Sequence, residues 1–138
     1  MAESLPVSMW EIEFIPDADR LFMRVHRCFV PHGQLNVGVF RDQGEGMSTD
    51  WKEYSSPEQT RLRANKPCEN GVLSLVTGNV REIRGLLVEH TPQPDDRAHT
   101  DVFGKKEPEV RVKLSRIYKW EIPVPAMKEA NPDPYSPT

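Results

Sequence analysis

The sequence predicts an α+β fold: a small single domain with a mostly antiparallel, curved sheet and one or two helices. Short stretches in which apolar and polar residues alternate recur along the chain, as half-buried strands require. Gaps of hairpin length separate them, which favours antiparallel pairing. One helix is announced by a clear set of capping residues. At 138 residues the chain fits one domain and can bury a core without metal or disulfide support.

Residues 1–8 read as a flexible arm, 9–122 as the domain, and 123–138 as a disordered tail, because five of the thirteen prolines lie there. Met9–Ile15 alternates Trp10, Ile12 and Phe14 against Glu11 and Glu13, a strand pattern ended by Pro16. Leu21–Val25 is the next strand, with Leu21, Met23 and Val25 on one face and Phe22, Arg24 and His26 on the other. Pro31–Gly33 is a turn. Leu35–Phe40 reads as a third strand, in which Gly38 marks a bulge or a close approach. Asp42–Gly46 is a polar loop, and Met47–Trp51 leaves it as a small Ser–Thr turn.

A helix is predicted from Ser56 to about Asn65. Ser56 caps it, Pro57 suits the first helical position, and Gln59 completes a capping box. Its few apolar residues place it on the surface. Val72–Thr77 is nearly all apolar and is the most buried strand expected. Gly78–Ile83 is one helical turn, Leu86–Glu89 a short strand, Thr91–Asp96 a loop, and Ala98–Phe103 a return to the sheet. Glu107–Tyr118 carries both periods. Pro108 at its start, with acids first and bases last, favours the helix. Trp120–Val124 is extended.

Net charge is −3, which argues against indiscriminate binding of phosphate backbones. The N-terminus lacks a signal-peptide pattern, and no apolar run approaches the ~18 residues of a membrane span. Cys28 and Cys68 have no CxxC partner and read as free thiols in a reducing compartment. Cys28 follows two basic residues that could lower its pKa, but its CFV context reads as a buried, inert thiol. The expected setting is cytoplasmic, with no membrane contact.

The strongest local signal is Arg20–Arg41, which holds four arginines and two histidines and no acidic residue. Arg24 and His26 on one strand face would lie about 7 Å apart. With Arg41, Ser48, Thr49 and His99 they form a candidate anion- or partner-binding set: forked cationic donors beside hydroxyls and loop N–H groups. The plainer alternative is that these arginines solvate the sheet or pair with Asp17, Asp19 and Asp42. No strict phosphate-loop motif is present. His90, Asp95, Asp96, His99 and Asp101 have the residue types of a metal site without a recognised ligand spacing, so a solvated acidic loop is preferred. His99, between loop and strand, could serve as a general base or anion contact. Trp10, Trp51 and Tyr54 are expected in the core or at its rim.

RLFMRVH, the VFR step, MSTD and the AHTDVFGKK segment together resemble a group of small bacterial proteins of unknown function. Their pattern runs LFRRVH-like, AFR, LSVD-like and AHA-like; Met23 and Thr49 depart from it. The likeness covers roughly Leu21–Leu114 and implies a bacterial, cytosolic origin. A second likeness is to ADP-ribosyltransferase-type folds, which place an arginine or histidine on an early strand and a Ser–Thr turn later, around NAD. Arg24 and Ser48-Thr49 would correspond. The glutamate those enzymes often use has no clear match; Glu89 and Glu107 are candidates.

These readings lead to a non-enzymatic accessory module that docks a protein partner through a basic face and needs no cofactor, as in a toxin–antitoxin or phage-defence complex. The alternatives are an NAD- or nucleotide-binding transferase using Arg24, Ser48 and His99, and a nucleic-acid contact through Arg20–Arg41.

Overall fold

The computed structural model describes residues 10–125. The expected arm at 1–8 and most of the expected tail lie outside the described residues. Six strands form one curved, open, wholly antiparallel sheet. They are β1 (Arg20–His26), β2 (Met47–Trp51), β3 (Asn70–Val76), β4 (Leu87–His90), β5 (His99–Phe103) and β6 (Lys119–Ile122). Their order across the sheet is β4-β5-β2-β1-β3-β6. Three short helices accompany them: α1 (Pro57–Leu62), α2 (Thr77–Arg81) and α3 (Pro108–Leu114). The α+β class and the single domain are as the sequence predicts. No helix among the described residues is long and apolar enough to cross a membrane.

The core follows the period-two pattern. Leu21, Met23 and Val25 of β1 join Leu73 and Leu75 of β3, Met47 and Trp51 of β2, and Val102 of β5. Val80 of α2 and Val110 and Leu114 of α3 close over them. β3 is buried along nearly its whole length. The Ser56 side chain accepts the Gln59 N–H at 3.1 Å, as the capping pattern requires. α1 packs against β1 and β3 on the sheet face that also carries Arg24.

Four expectations fail, each for a local reason. Residues 10–15 are not a strand. Their backbone bonds to side chains instead of a neighbouring backbone: the Glu13 N–H reaches His90 Nδ1 (3.0 Å) and the Ile15 carbonyl accepts from Arg81 (2.7 Å). Ile12 and Phe14 are exposed, and Ile15 is the buried residue. Leu35–Phe40 is not a strand either, because the Asn36 side chain accepts the Gly38 N–H at 2.7 Å and winds Val37–Val39 into a 3-10 turn. Met47–Trp51 is an interior strand, not a turn, with Met47, Thr49 and Trp51 buried. Cys28 is exposed, since the chain leaves β1 in a 3-10 turn over Arg27–Phe29 that turns the thiol outward.

α3 confirms the helical reading of Glu107–Tyr118 but ends at Leu114. Tyr118 instead stacks edge-on against Trp120.

Candidate functional site

β1 pairs with β3 along all of Arg20–His26, but with β2 only through Leu21↔Trp51 and Phe22↔Asp50. Past that point β2 continues paired only to β5. The sheet therefore forks between β1 and β2. A cleft of about 250 Å³ occupies the fork.

Arg24, His26, Arg41, Ser48, Thr49 and His99 all line this cleft. Register explains much of the convergence. Asp50 sits opposite Phe22 on one side and His99 on the other, so one row crosses three strands. Ser48 lies two residues from Asp50 and shares its face. Arg24 and His26 follow Phe22 at the same two-residue spacing.

The six side chains are differently engaged. Arg24 is exposed, and its guanidinium donates to the Thr60 carbonyl at 3.2 Å. Arg41 lies over the Phe29 ring at 5.2 Å. Among the described residues neither arginine has a carboxylate within ion-pair distance. His26 is held at both nitrogens: Nδ1 accepts the Cys28 N–H (3.0 Å) and Nε2 donates to Glu69 (2.8 Å). The His26 bond is the main cause holding the Glu69 carboxyl below the usual range. The Thr49 hydroxyl is committed to the Thr100 carbonyl at 2.9 Å.

Asp17, Asp19 and Asp42, the expected neutralising partners, go elsewhere. Asp17 pairs with Arg81, Asp19 accepts from the Trp51 indole, and Asp42 pairs with Lys106.

Ser48 and His99 form a pair. His99 Nδ1 lies 3.1 Å from the Thr91 carbonyl, which can only accept, so Nδ1 carries the proton. Nε2 is then the free acceptor, facing the Ser48 hydroxyl at 3.3 Å. Thr91 in turn donates to Asp101 at 2.9 Å, which fixes the outer side of the imidazole.

Sequence reading misses Asp50 and sets Asp96 aside as part of a solvated loop, yet both acids lie beside this pair. Asp50 and Asp96 line the cleft floor and are 3% and 7% exposed. Asp50 accepts from Thr60 (2.9 Å) and Arg63 (2.7 Å). Asp96 accepts the Ala98 N–H (3.1 Å) and faces the other arm of Arg63 at 3.4 Å. Burial, then the hydrogen bond to Asp50 and its negative charge, push the Asp96 carboxyl up to about 8, against the pull of Arg63. Asp96 is thus the carboxyl of the two that burial and its neighbour's charge favour in the protonated form.

The expected solvated acidic loop is thus wrong for Asp96. A tight backbone turn between Gln93 and Asp96 points Asp96 inward and leaves Asp95 outside. The five residues weighed as metal ligands separate. His90 is buried against Trp51 and Tyr54, accepting from Glu13 and donating to the Arg97 carbonyl at 2.8 Å. Asp101 is held by Thr91, and only Asp96 and His99 reach the cleft.

What the fold and site define together is an α+β domain with a polar cleft in a forked antiparallel sheet. Comparison with family models, curated proteins and solved structures returns no match for this chain.

Proposed function

We propose that the protein is an enzyme of small polar anions, with the cleft as its active site. Arg24 and Arg41 at the mouth attract and orient the anionic group. Asp50 and Asp96 on the floor supply base and acid. Asp50 is placed to take a proton from a ligand hydroxyl or a water, and Asp96, the carboxyl pushed up, to return one to a ligand oxygen. Ser48 and His99 form a second proton path at the wall, in which Nε2 accepts from the hydroxyl.

The observation that carries this reading is the pair of buried carboxyls, Asp50 and Asp96, both held by Arg63 and set in an open cleft instead of sealed in the core. Perturbed carboxyls of this kind mark sites of acid–base work. We rank this reading above docking or nucleic-acid contact through Arg20–Arg41. Arg20 turns to Ser74, and Arg27 turns to Glu69, so those two arginines serve the fold. A cleft of about 250 Å³ lies just under the ~300–1,000 Å³ of drug-sized ligand sites, which favours a compact ligand or one that also extends outside.

The test is a thermal-shift survey of phosphate- and carboxylate-bearing small molecules at millimolar concentration. A ligand that binds only the folded chain raises Tm. The expected result is a rise with some of them, abolished by Arg24→Ala. No rise with any compound, or one that survives loss of both Arg24 and Arg41, would refute the proposal.

A further inference from the structure

A second hollow, of about 470 Å³, adjoins the cleft and shares Arg24, His26 and Asn70 with it. Its other wall is the chain leaving α1, with Arg63, Asn65 and Lys66. The two hollows differ in chemistry. The cleft mixes carboxyl, hydroxyl and imidazole groups with the side chains of Phe22 and Phe29. The outer hollow is dominated by fixed cations. Its one acid, Glu69, is already engaged by His26 at 2.8 Å and Arg27 at 3.8 Å. Arg63 is shared with Asp50 and Asp96, whereas Arg24 and Lys66 have no ion pair among the described residues.

We infer that the ligand is a phosphorylated sugar, free or within a nucleotide, whose sugar enters the cleft while its phosphate lies in the outer hollow between Arg24 and Lys66. This rests on the small-anion reading above and names the ligand class.

Three features point to that class. A sugar presents hydroxyls that both donate and accept, matching a lining that holds two carboxyls and a hydroxyl–imidazole pair. Its C–H groups suit the apolar part of the lining, Phe22 and Phe29. A phosphate offers several acceptor oxygens and up to two charges, which is what an arginine fork and a lysine set apart from it can both engage. Arg24, common to both hollows, would meet the ligand where sugar joins phosphate. A single carboxylate in the cleft would leave Lys66 without a role.

The test measures binding to the full chain by titration calorimetry, using ribose, ribose 5-phosphate, adenosine, AMP and ADP. The variant is Lys66→Glu, a surface charge reversal outside the proposed acid–base set. The expected result is at least tenfold tighter binding of the phosphorylated compounds than of their parents. Lys66→Glu should reduce their affinity about tenfold and leave the parents unchanged. Ribose 5-phosphate binding as well as AMP identifies a free sugar phosphate, and AMP or ADP binding better identifies a nucleotide; either supports the inference. Equal binding with and without phosphate, or no effect of Lys66→Glu, overturns this inference alone. No binding by the whole series, with other small anions still raising Tm through Arg24, also overturns it and spares the small-anion reading.

Discussion

Asp96→Asn separates a carboxyl that keeps its proton from one that merely sits in a polar hollow. The side chain is only 9% exposed, with its Oδ1 facing Arg63 Nη2 at 3.4 Å and accepting the Ala98 N–H at 3.1 Å. An ordinary aspartate titrates near 3.8, and this one is pushed up to about 8. The unfolded chain therefore loses this proton near 3.8 while the folded chain keeps it until about 8, so folding takes up a proton throughout that window. The group's contribution to stability is fully present below the lower value and is lost as pH rises through the upper one. For one whole proton the slope is about 1.4 kcal/mol per pH unit. The full window would give several kcal/mol, but relaxation and the nearby Arg63 reduce this, and a net effect of about 2–3 kcal/mol is expected.

Asparagine keeps the shape and has no proton to lose in this range. Its Oδ1 still accepts from Ala98, and its amide N–H replaces the O–H donated to Asp50. The difference in stability between wild type and variant follows the Asp96 proton. Urea denaturation of wild type and Asp96→Asn at pH 5, 7 and 9 gives that difference directly. The variant should gain about 2–3 kcal/mol on wild type between pH 5 and 9. A difference that stays constant within ~0.5 kcal/mol would refute the raised Asp96 carboxyl and with it the proposed chemistry.

Four further outcomes follow from the geometry. Long-range nitrogen correlation NMR should find His99 in the Nδ1–H tautomer and His26 and His90 in the Nε2–H tautomer; His99 as Nε2–H would dissolve the Ser48 pair. His90→Ala strips partners from the Glu13 N–H and the Arg97 carbonyl and leaves a cavity beside Trp51, so it should cost about 3 kcal/mol in urea denaturation. In Gly71→Ala the new Cβ would lie 2.5 Å from the Ile122 carbonyl oxygen and 2.7 Å from the Val124 nitrogen. Those are backbone atoms, so β6 must move, with a loss of about 3 kcal/mol and a changed Trp120 emission. Ser56→Ala removes one helix cap and should cost about 1 kcal/mol, again by urea denaturation.

The sequence is most legible where a local rule has no competitor. β1 and β3 alternate or fill with apolar residues, and Ser56-Pro57-Glu58-Gln59 has one sensible reading. It misleads where side chains capture the backbone. Trp10–Ile15 has strand periodicity, but His90 and Arg81, about seventy residues away, take its hydrogen bonds. Leu35–Phe40 alternates too, but Asn36 bonds two residues ahead and a turn wins over a strand. Met47–Trp51 hides behind two glycines. Its small Ser, Thr and Asp read as turn residues, although Met47, Thr49 and Trp51 already show the alternation of a strand. Arg24, Ser48 and His99 are visible as chemistry-bearing residues, while their meeting is set by register. Asp96 has no local signature at all. Asp95 and Asp96 are chemically equal neighbours, and the turn closed between Gln93 and Asp96 decides which is buried, beside the Arg63 that the fold brings close.

The fork gives the site its character. Had β1 paired with β2 along its whole length, Arg24 and Ser48 would face one another across a closed ladder with no room between. Because pairing stops at Phe22↔Asp50, the last paired residue is also an acid on the cleft floor. Thr60 of α1 donates to that acid and accepts from Arg24 through its carbonyl, so one helix residue ties the floor to the mouth. The fold leaves the two carboxyls only 3% and 7% exposed, and Arg63 reaches Asp50 at 2.7 Å and Asp96 at 3.4 Å. Desolvation raises the proton affinity of Asp96 while the open mouth keeps the pair within reach of a ligand. A sealed core could supply the first condition and an exposed loop the second; a forked sheet supplies both, on strands rigid enough to hold the geometry.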